Sequence, residues 1–485
     1  MKIHLAPEID SMTVPADLLE VSKRMSDLDA TIWGEKSEAA TRLGWVNLPE
    51  SSRALLPQLD ALSATAREKN VKKVILSGMG GSSLAPEVVA KSFAGSTQRQ
   101  LIILDSTDPQ FVGSIVLQDL SDAMILISSK SGTTIETRSH LDLILASLAS
   151  QGLDARDHII VVTDPGSPLV DVAHDHGWRL ILGDPHVGGR FSALSAFGLV
   201  PAALLGLDTS LLLDDAAEIL PEIHESAIKL ALYLAPHRYL YFYDSLGRFP
   251  GLADWIEQLI AESTGKDGKG LLPIAVDQPP DSNQFPVIDL ATSVDAPLGA
   301  QFILWEWVTA LLGYIYRVDP FDQPDVQATK VRTIEALHEK AGDMHPEGLV
   351  AITEVGSALR NALRGREYLA ICAYLDPIED HKVTLLQRTL QRRFQVPVSF
   401  GWGPRFLHST GQFHKGGPKS GVFLSITMRR EMKISVPGQD YGFEDLILAQ
   451  AEGDRRALVE SGSPVIRVEL RDKEELSLLL ESLKD

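Results

Sequence analysis

Short apolar runs recur along this chain, each closed by a glycine- or hydroxyl-rich turn and followed by residues with helical apolar spacing. Runs at 73–77, 101–105, 124–128, 158–163 and 180–183 read as strands. Near-continuous apolar strands alternating with helices of roughly ten to fifteen residues predict a parallel, doubly wound sheet in an α/β fold. A second unit of this kind starts at 238–243. Its helix carries Leu252, Trp255, Ile256, Leu259 and Ile260 on one face. Strands at 367–375, 396–400, 421–427 and 464–470, with a helix over 383–394, continue the pattern. Residues 1–70 read as helices, with Leu18, Val21, Met25 and Leu28 at helical spacing, and again Leu55, Leu59 and Leu62. The expected organisation is an N-terminal helical segment (1–70), a first α/β domain (71–206), the first part of a second (207–330), and a C-terminal α/β region (331–485) completing the second sheet.

The turns carry the chemistry. Residues 124–128 empty into Ser129-Lys130-Ser131-Gly132-Thr133-Thr134, and a helix follows from Ile135. Backbone N–H groups and the positive end of the helix dipole converge there on one point. Ser129, Ser131, Thr133 and Thr134 add hydroxyls and Lys130 adds a charge, which suits a phosphate monoester. The same residues also fit an ordinary Ser/Thr helix cap. A second junction, Gly78-Met79-Gly80-Gly81-Ser82-Ser83, allows close backbone approach at Gly80 and Gly81. A third, Gly188-Gly189-Arg190-Phe191-Ser192, sets Arg190 beside a bound anion or has it cap its own sheet.

Glu262 closes its helix, where the negative dipole end disfavours a second negative charge; that suits a general base. The plainer reading is a surface Glu262–Lys266 pair at i, i+4. Further on, Arg405 to Gly417 sets His408, His414 and Lys415 in one glycine-rich turn, a poor metal pair by spacing.

Composition narrows the field. The chain has 485 residues and a formal net charge of −20, which argues against a nucleic-acid partner, since that needs a basic surface. An anionic substrate must then be drawn in by local donors. The single cysteine, Cys372, excludes an intrachain disulfide and a cysteine-based metal site. The first twelve residues lack a signal pattern, and the most apolar helix, near 303–316, carries Glu306 and reads as too short for a bilayer. A cytoplasmic protein without a membrane partner is expected.

Laid side by side, these segments resemble the glucose-6-phosphate isomerase family, and most closely the isomerase half of its fusions with transaldolase. Ser129 to Thr137 is similar to the family's sugar-isomerase (SIS) loop. Gly80-Gly81-Ser82 and Gly188-Gly189-Arg190-Phe191-Ser192 match its next two motifs. Glu262-Ser263-Thr264-Gly265-Lys266 matches the catalytic-glutamate segment, and Phe321-Asp322-Gln323 through Lys330 the lysine signature. The resemblance implies two SIS subdomains, a homodimer, and metal- and cofactor-free interconversion of glucose 6-phosphate and fructose 6-phosphate. Glu262 would be the base, Arg190 the enediolate stabiliser, and Lys330 with a histidine the ring opener. Ser129, Lys130, Ser131, Thr133 and Thr134 would hold the phosphate, and Gly81, Ser82 and Gln323 the sugar. One departure stands out. The stretch 274–280, where many members carry the histidine, has none; His414 is the first expectation and His408 the second. Alternatives are an isomerase that also takes mannose 6-phosphate, and a non-catalytic sugar-phosphate sensor.

Overall fold

The computed structural model describes residues 3–281, 284–339 and 348–484, and within the helix Pro324–His338 the side chains of 326–328 lie outside that description. Part of the lysine signature, Val326 to Ala328, therefore lies outside the described side chains.

A short strand β1 (His4–Leu5) precedes helices that run to Glu68. The first sheet then gathers β2 (Lys73–Ser77), β3 (Gln100–Leu104), β4 (Ala123–Ser128), β5 (Ile159–Thr163) and β6 (Arg179–Leu182), all parallel, in the order β3-β2-β4-β5-β6. Alternate residues supply two different cores, as the pleat requires. Val74, Leu76, Met124, Leu126, Ile160 and Val162 face the core shared with the N-terminal helices. Ile75, Ile125, Ile127, Ile159 and Val161 face the other, where Ile434, Val436 and Phe443 of the C-terminal region also pack. The chain leaves β2 for one neighbour, β3, and returns on the other side at β4. The loops after β2 and β4 therefore diverge over a crevice at the C-terminal strand ends, the place where such sheets bind ligands.

The second unit is smaller than expected. β7 (Tyr239–Tyr243) lies between β8 (Leu272–Ala275) and β9 (Val287–Asp289), all parallel, while β10 (Val294–Asp295) pairs antiparallel with β1. The C-terminal region differs from the expectation that it completes this sheet. β11 (Tyr368–Tyr374), β12 (Val398–Trp402), β13 (Gly421–Met428) and β14 (Val465–Leu470) form a sheet of their own, ordered β12-β11-β13-β14. The Tyr241 side chain of β7 reaches β12, and its hydroxyl accepts the Val398 N–H at 3.0 Å. The two sheets share a core instead, in which Tyr241, Leu272 and Ile274 meet Tyr368, Phe413 and Phe423. Helix Pro324–His338 crosses the boundary drawn at 330 and packs on helix Phe443–Glu460, with Arg332 paired to Glu460 at 3.0 Å.

The most apolar helix is longer than the sequence suggested. Leu298–Tyr316 has 19 residues, enough to cross a bilayer by length and composition, but every residue from Leu298 to Gly313 is buried in the fold, so it serves as a core helix. It carries Glu306, fully buried, with neither carboxylate oxygen hydrogen-bonded among the described residues. Burial pushes this carboxyl well above its usual range, because an uncompensated charge is far costlier there than a neutral acid. Glu306→Leu should therefore raise stability by about 1–3 kcal/mol, the usual cost of an unsatisfied buried polar group, measured by urea unfolding; lowered stability would mean that the carboxyl has a needed partner.

Candidate active site

The phosphate-loop expectation depends on what caps helix Ile135–Ser150. Thr134 is its N-cap residue, yet no side-chain hydrogen bond caps it. The hydroxyls are occupied with one another: Ser129 Oγ with Thr134 Oγ1 at 3.1 Å and Ser131 Oγ with Thr133 Oγ1 at 3.0 Å. Gly132 turns the loop at φ +68° and donates its N–H to Ser129 Oγ at 3.2 Å. The first N–H groups of the helix are thus left for something else, which favours the anion site over the ordinary cap. Ser131 and Thr133 are exposed at its mouth. Lys130 instead pairs with Asp164, and burial lowers its pKa.

The two glycine turns touch backbone to backbone. A Cβ on Gly81 would lie 2.0 Å from the Gly189 carbonyl oxygen, so residue 81 must lack a side chain. Arg190, the next residue of the second turn, is buried and spends all five of its N–H donors. Nε donates to Ser263 Oγ at 2.7 Å; Nη1 to Glu262 Oε1 at 3.1 Å and Gln323 Oε1 at 2.8 Å; Nη2 to the carbonyls of Pro320 at 2.6 Å and Asp322 at 2.9 Å. Arg190 therefore faces away from its own sheet. Glu262, at the end of helix Leu252–Thr264, is buried against it and makes no surface pair with Lys266. Lys266 is buried too, 2.6 Å from Asp322; burial, with the Arg190 charge nearby, lowers its pKa to about 8.

His408 joins this cluster to the phosphate loop. Its Nε2 lies 3.0 Å from Glu136 Oε1, in the first turn of the phosphate-loop helix. Its carbonyl accepts from Gln258 Nε2 at 2.8 Å, and that same nitrogen donates to Glu262 Oε2 at 3.1 Å. Burial alone would raise the Glu136 carboxyl, but the charge and hydrogen bond of His408 hold it below its usual value. Gln450 donates to the same Glu136 oxygen at 2.7 Å. Among the described residues, no group of three or more His, Cys, Asp or Glu side chains is arranged to hold a metal ion.

Residues 60–233 match the family model described as Phosphoglucose isomerase. That stretch takes in the whole of the first α/β unit. The chain is 35% identical over 263 residues to a glucose-6-phosphate isomerase of Thermus thermophilus, covering 51% of this chain and 60% of that protein. It is 33% identical over 221 residues to a probable glucose-6-phosphate isomerase of Haloarcula marismortui, covering 43% and 50%. The matched stretches thus span little more than half of those relatives. The crystal structure of a glucose-6-phosphate isomerase from Chlamydia trachomatis is similar in fold, with a TM-score of 0.51 at 17% identity over 71% of this chain and 86% of that one.

Set against the phosphoglucose isomerase motifs, the structure brings Arg190, Glu262, Gln323 and the Gly81–Ser82 turn together, with His408 beside them. Lys330 stands exposed on helix Pro324–His338, about 9 Å along the axis from Pro324, and is not among the Arg190 partners. The preference for His414 over His408 does not hold up in the geometry. His414 is buried, stacked on Tyr368 and edge-on to Phe423, with Nδ1 3.1 Å from the Tyr368 hydroxyl. Burial, then the Lys415 charge, lowers its pKa to about 3, so it stays neutral. Glu136 and Gln258 escaped the motif reading; Glu136 lay inside the quoted loop, three residues before a helical Ser139, but nothing local tied it to residue 408. Gln412 is a further link, donating to the Gly265 carbonyl at 3.1 Å and to Asp325 at 2.6 Å.

His140 is held neutral as well; burial lowers its pKa to about 4, between the Ser77 hydroxyl and the Ser106 carbonyl. Both histidines bind a proton near pH 6.5 once unfolded. Between that value and their folded pKa the unfolded chain holds more protons, so stability falls as pH drops below 6.5, by about 1.4 kcal/mol per pH unit for each group. Urea unfolding from pH 7 to 4.5 should show this, and His414→Leu should remove about one proton's share of the slope.

Proposed function

We propose that the chain is a glucose-6-phosphate isomerase, interconverting glucose 6-phosphate and fructose 6-phosphate in glycolysis and gluconeogenesis. One observation carries the reading: the His408 turn bonds on one side to the first turn of the phosphate-loop helix and on the other to the side chain that holds Glu262. An acid–base group, a proton-carrying carboxylate and an anion site thereby share one crevice.

The phosphate sits on the N–H groups from Ile135 onward with Ser129, Ser131, Thr133 and Thr134, and Lys130 contributes charge at longer range through its Asp164 pair. Ring opening needs a proton delivered to the ring oxygen and one removed from the anomeric hydroxyl. His408 does this, with Glu136 holding the imidazole in place. The open chain then lies between Glu262 and Arg190. Glu262 takes the proton from C2 and returns it to C1, or the reverse, which a carboxylate with two equivalent oxygens can do on one face. The negative charge that develops on the enediolate is met by Arg190, already desolvated and fixed. Ser82 and Gln323, with the Gly81 backbone, orient the sugar hydroxyls. Lys330 lies outside this network, and the reading gives it no proton. Sugar phosphates are cytoplasmic metabolites, and the proposed setting is cytoplasmic.

A coupled assay of fructose 6-phosphate conversion, with EDTA present and mannose 6-phosphate as a parallel substrate, tests the reading. Turnover of fructose 6-phosphate is expected; binding without turnover would replace the enzyme with a sensor, and equal turnover of mannose 6-phosphate would broaden its specificity. Glu262→Gln should fold normally and lose roughly three or more orders of magnitude in kcat, because it removes the proton carrier. Ser131→Ala should chiefly raise KM, since phosphate contacts are shared by ground and transition states; a loss confined to kcat would contradict its role.

A further inference from the structure

His408 belongs to a single 3-10 turn, Arg405–His408, that reaches the first sheet from the C-terminal region. Two of its contacts lie at the site: the imidazole on Glu136 and the carbonyl on Gln258. The carbonyl also packs on Gly80, where a Cβ would lie 2.6 Å from it. The third anchor is at the opposite end. The Arg405 guanidinium bridges Glu87, on helix Leu84–Ser92, and Asp105, just past β3, with Nε 2.9 Å from Asp105 Oδ2. Their side chains are 22%, 20% and 8% exposed, so these charges are poorly screened. Glu87 is held by Lys91 as well, at 2.7 Å.

This anchor stands apart from the substrate crevice. Arg405, Glu87 and Asp105 line a separate cleft of about 910 Å³ together with Asp254 and Glu257, and neither Arg190, Glu262 nor the 129–134 loop borders it. Lys91 lines the same cleft but pairs with Glu87 from within its own helix, so Arg405 is the cation that ties the turn to Glu87 and Asp105. We propose that Arg405 is a positioning residue: its ion pairs to Glu87 and Asp105 fix the 405–408 turn and so set His408 against Glu136. The inference rests on the reading of His408 as the ring-opening group, but its structural half stands without turnover.

The test uses the full chain with 15N-labelled histidine and the variants Arg405→Met and Arg405→Lys. In Arg405→Met the His408 imidazole signals should move as the Glu136 contact is lost, while those of His224, hydrogen-bonded to Ser22 at 2.9 Å in the N-terminal helices, stay in place; Arg405→Lys should recover part of the shift. On fructose 6-phosphate, kcat should fall by about 10²-fold in Arg405→Met, the scale of a misplaced catalytic group, with little change in KM. Adding Arg405→Met to His408→Ala should cause no further loss. Unmoved His408 signals in a folded Arg405→Met, or losses that multiply in the double variant, would overturn the proposal. Should Arg405→Met fail to fold, Glu87→Gln combined with Asp105→Asn breaks the same contact from the other side and is read in the same way. A wild-type chain that leaves fructose 6-phosphate untouched would remove the isomerase reading, while the His408 imidazole signals would still decide whether Arg405 holds the turn.

Discussion

A buried guanidinium is tolerable only if its donors are met, and Arg190 meets all five within one cluster. That requirement arranges the site. Glu262 and Ser263 arrive from the end of one helix, the carbonyls of Pro320 and Asp322 from a loop, and Gln323 from the start of the next helix. None of these segments is near Arg190 in sequence; each is fixed by the planar fork it must satisfy. A lysine offers three donors on a single rotating centre and could not hold the same set in plane. The net interaction serves geometry more than stability, since burying a charged pair gives back much of its Coulomb gain.

The sheets supply the frame around that fork. Strand order reverses between β2 and β4, so the Gly80–Ser82 turn and the 129–134 loop part over one opening. Glycine at 81 lets the neighbouring turn approach until main chain meets main chain, bringing Arg190 to the edge of the opening. The C-terminal sheet then closes the arrangement from outside, through Arg405 on Glu87 and Asp105 and through Arg430 on Asp108, 2.7 Å away, and on Asp380. Both arginines reach carboxylates on or near the loops that follow strands of the first sheet.

Much of this was legible in the sequence, for identifiable reasons. β2, β4 and β5 are buried on both faces and so read as unbroken apolar runs, while Gly81, Arg190 and Glu262 sit in short local patterns. β8 and β9, with four and three residues, are too brief for a periodicity to register. The separate C-terminal sheet depends on which strands pair, β11 with β12 and β13, and no pattern along those strands names the partner. The choice between His408 and His414 turned on surroundings: Tyr368 and Phe423 enclose one, and Glu136, 272 residues away in sequence, meets the other. Spacing within the turn contains neither fact.

The late position of the 405–408 turn has a consequence for biosynthesis. The ribosome delivers the first sheet, the phosphate loop and Arg190 long before residue 408 leaves the exit tunnel. Until then Glu136 lacks both the imidazole and the Gln450 amide that meet it, and one face of the first sheet lacks Ile434, Val436 and Phe443. The helix that heads the phosphate loop is therefore finished by residues made some three hundred positions later, and the loop takes its final form only when the C-terminal region docks.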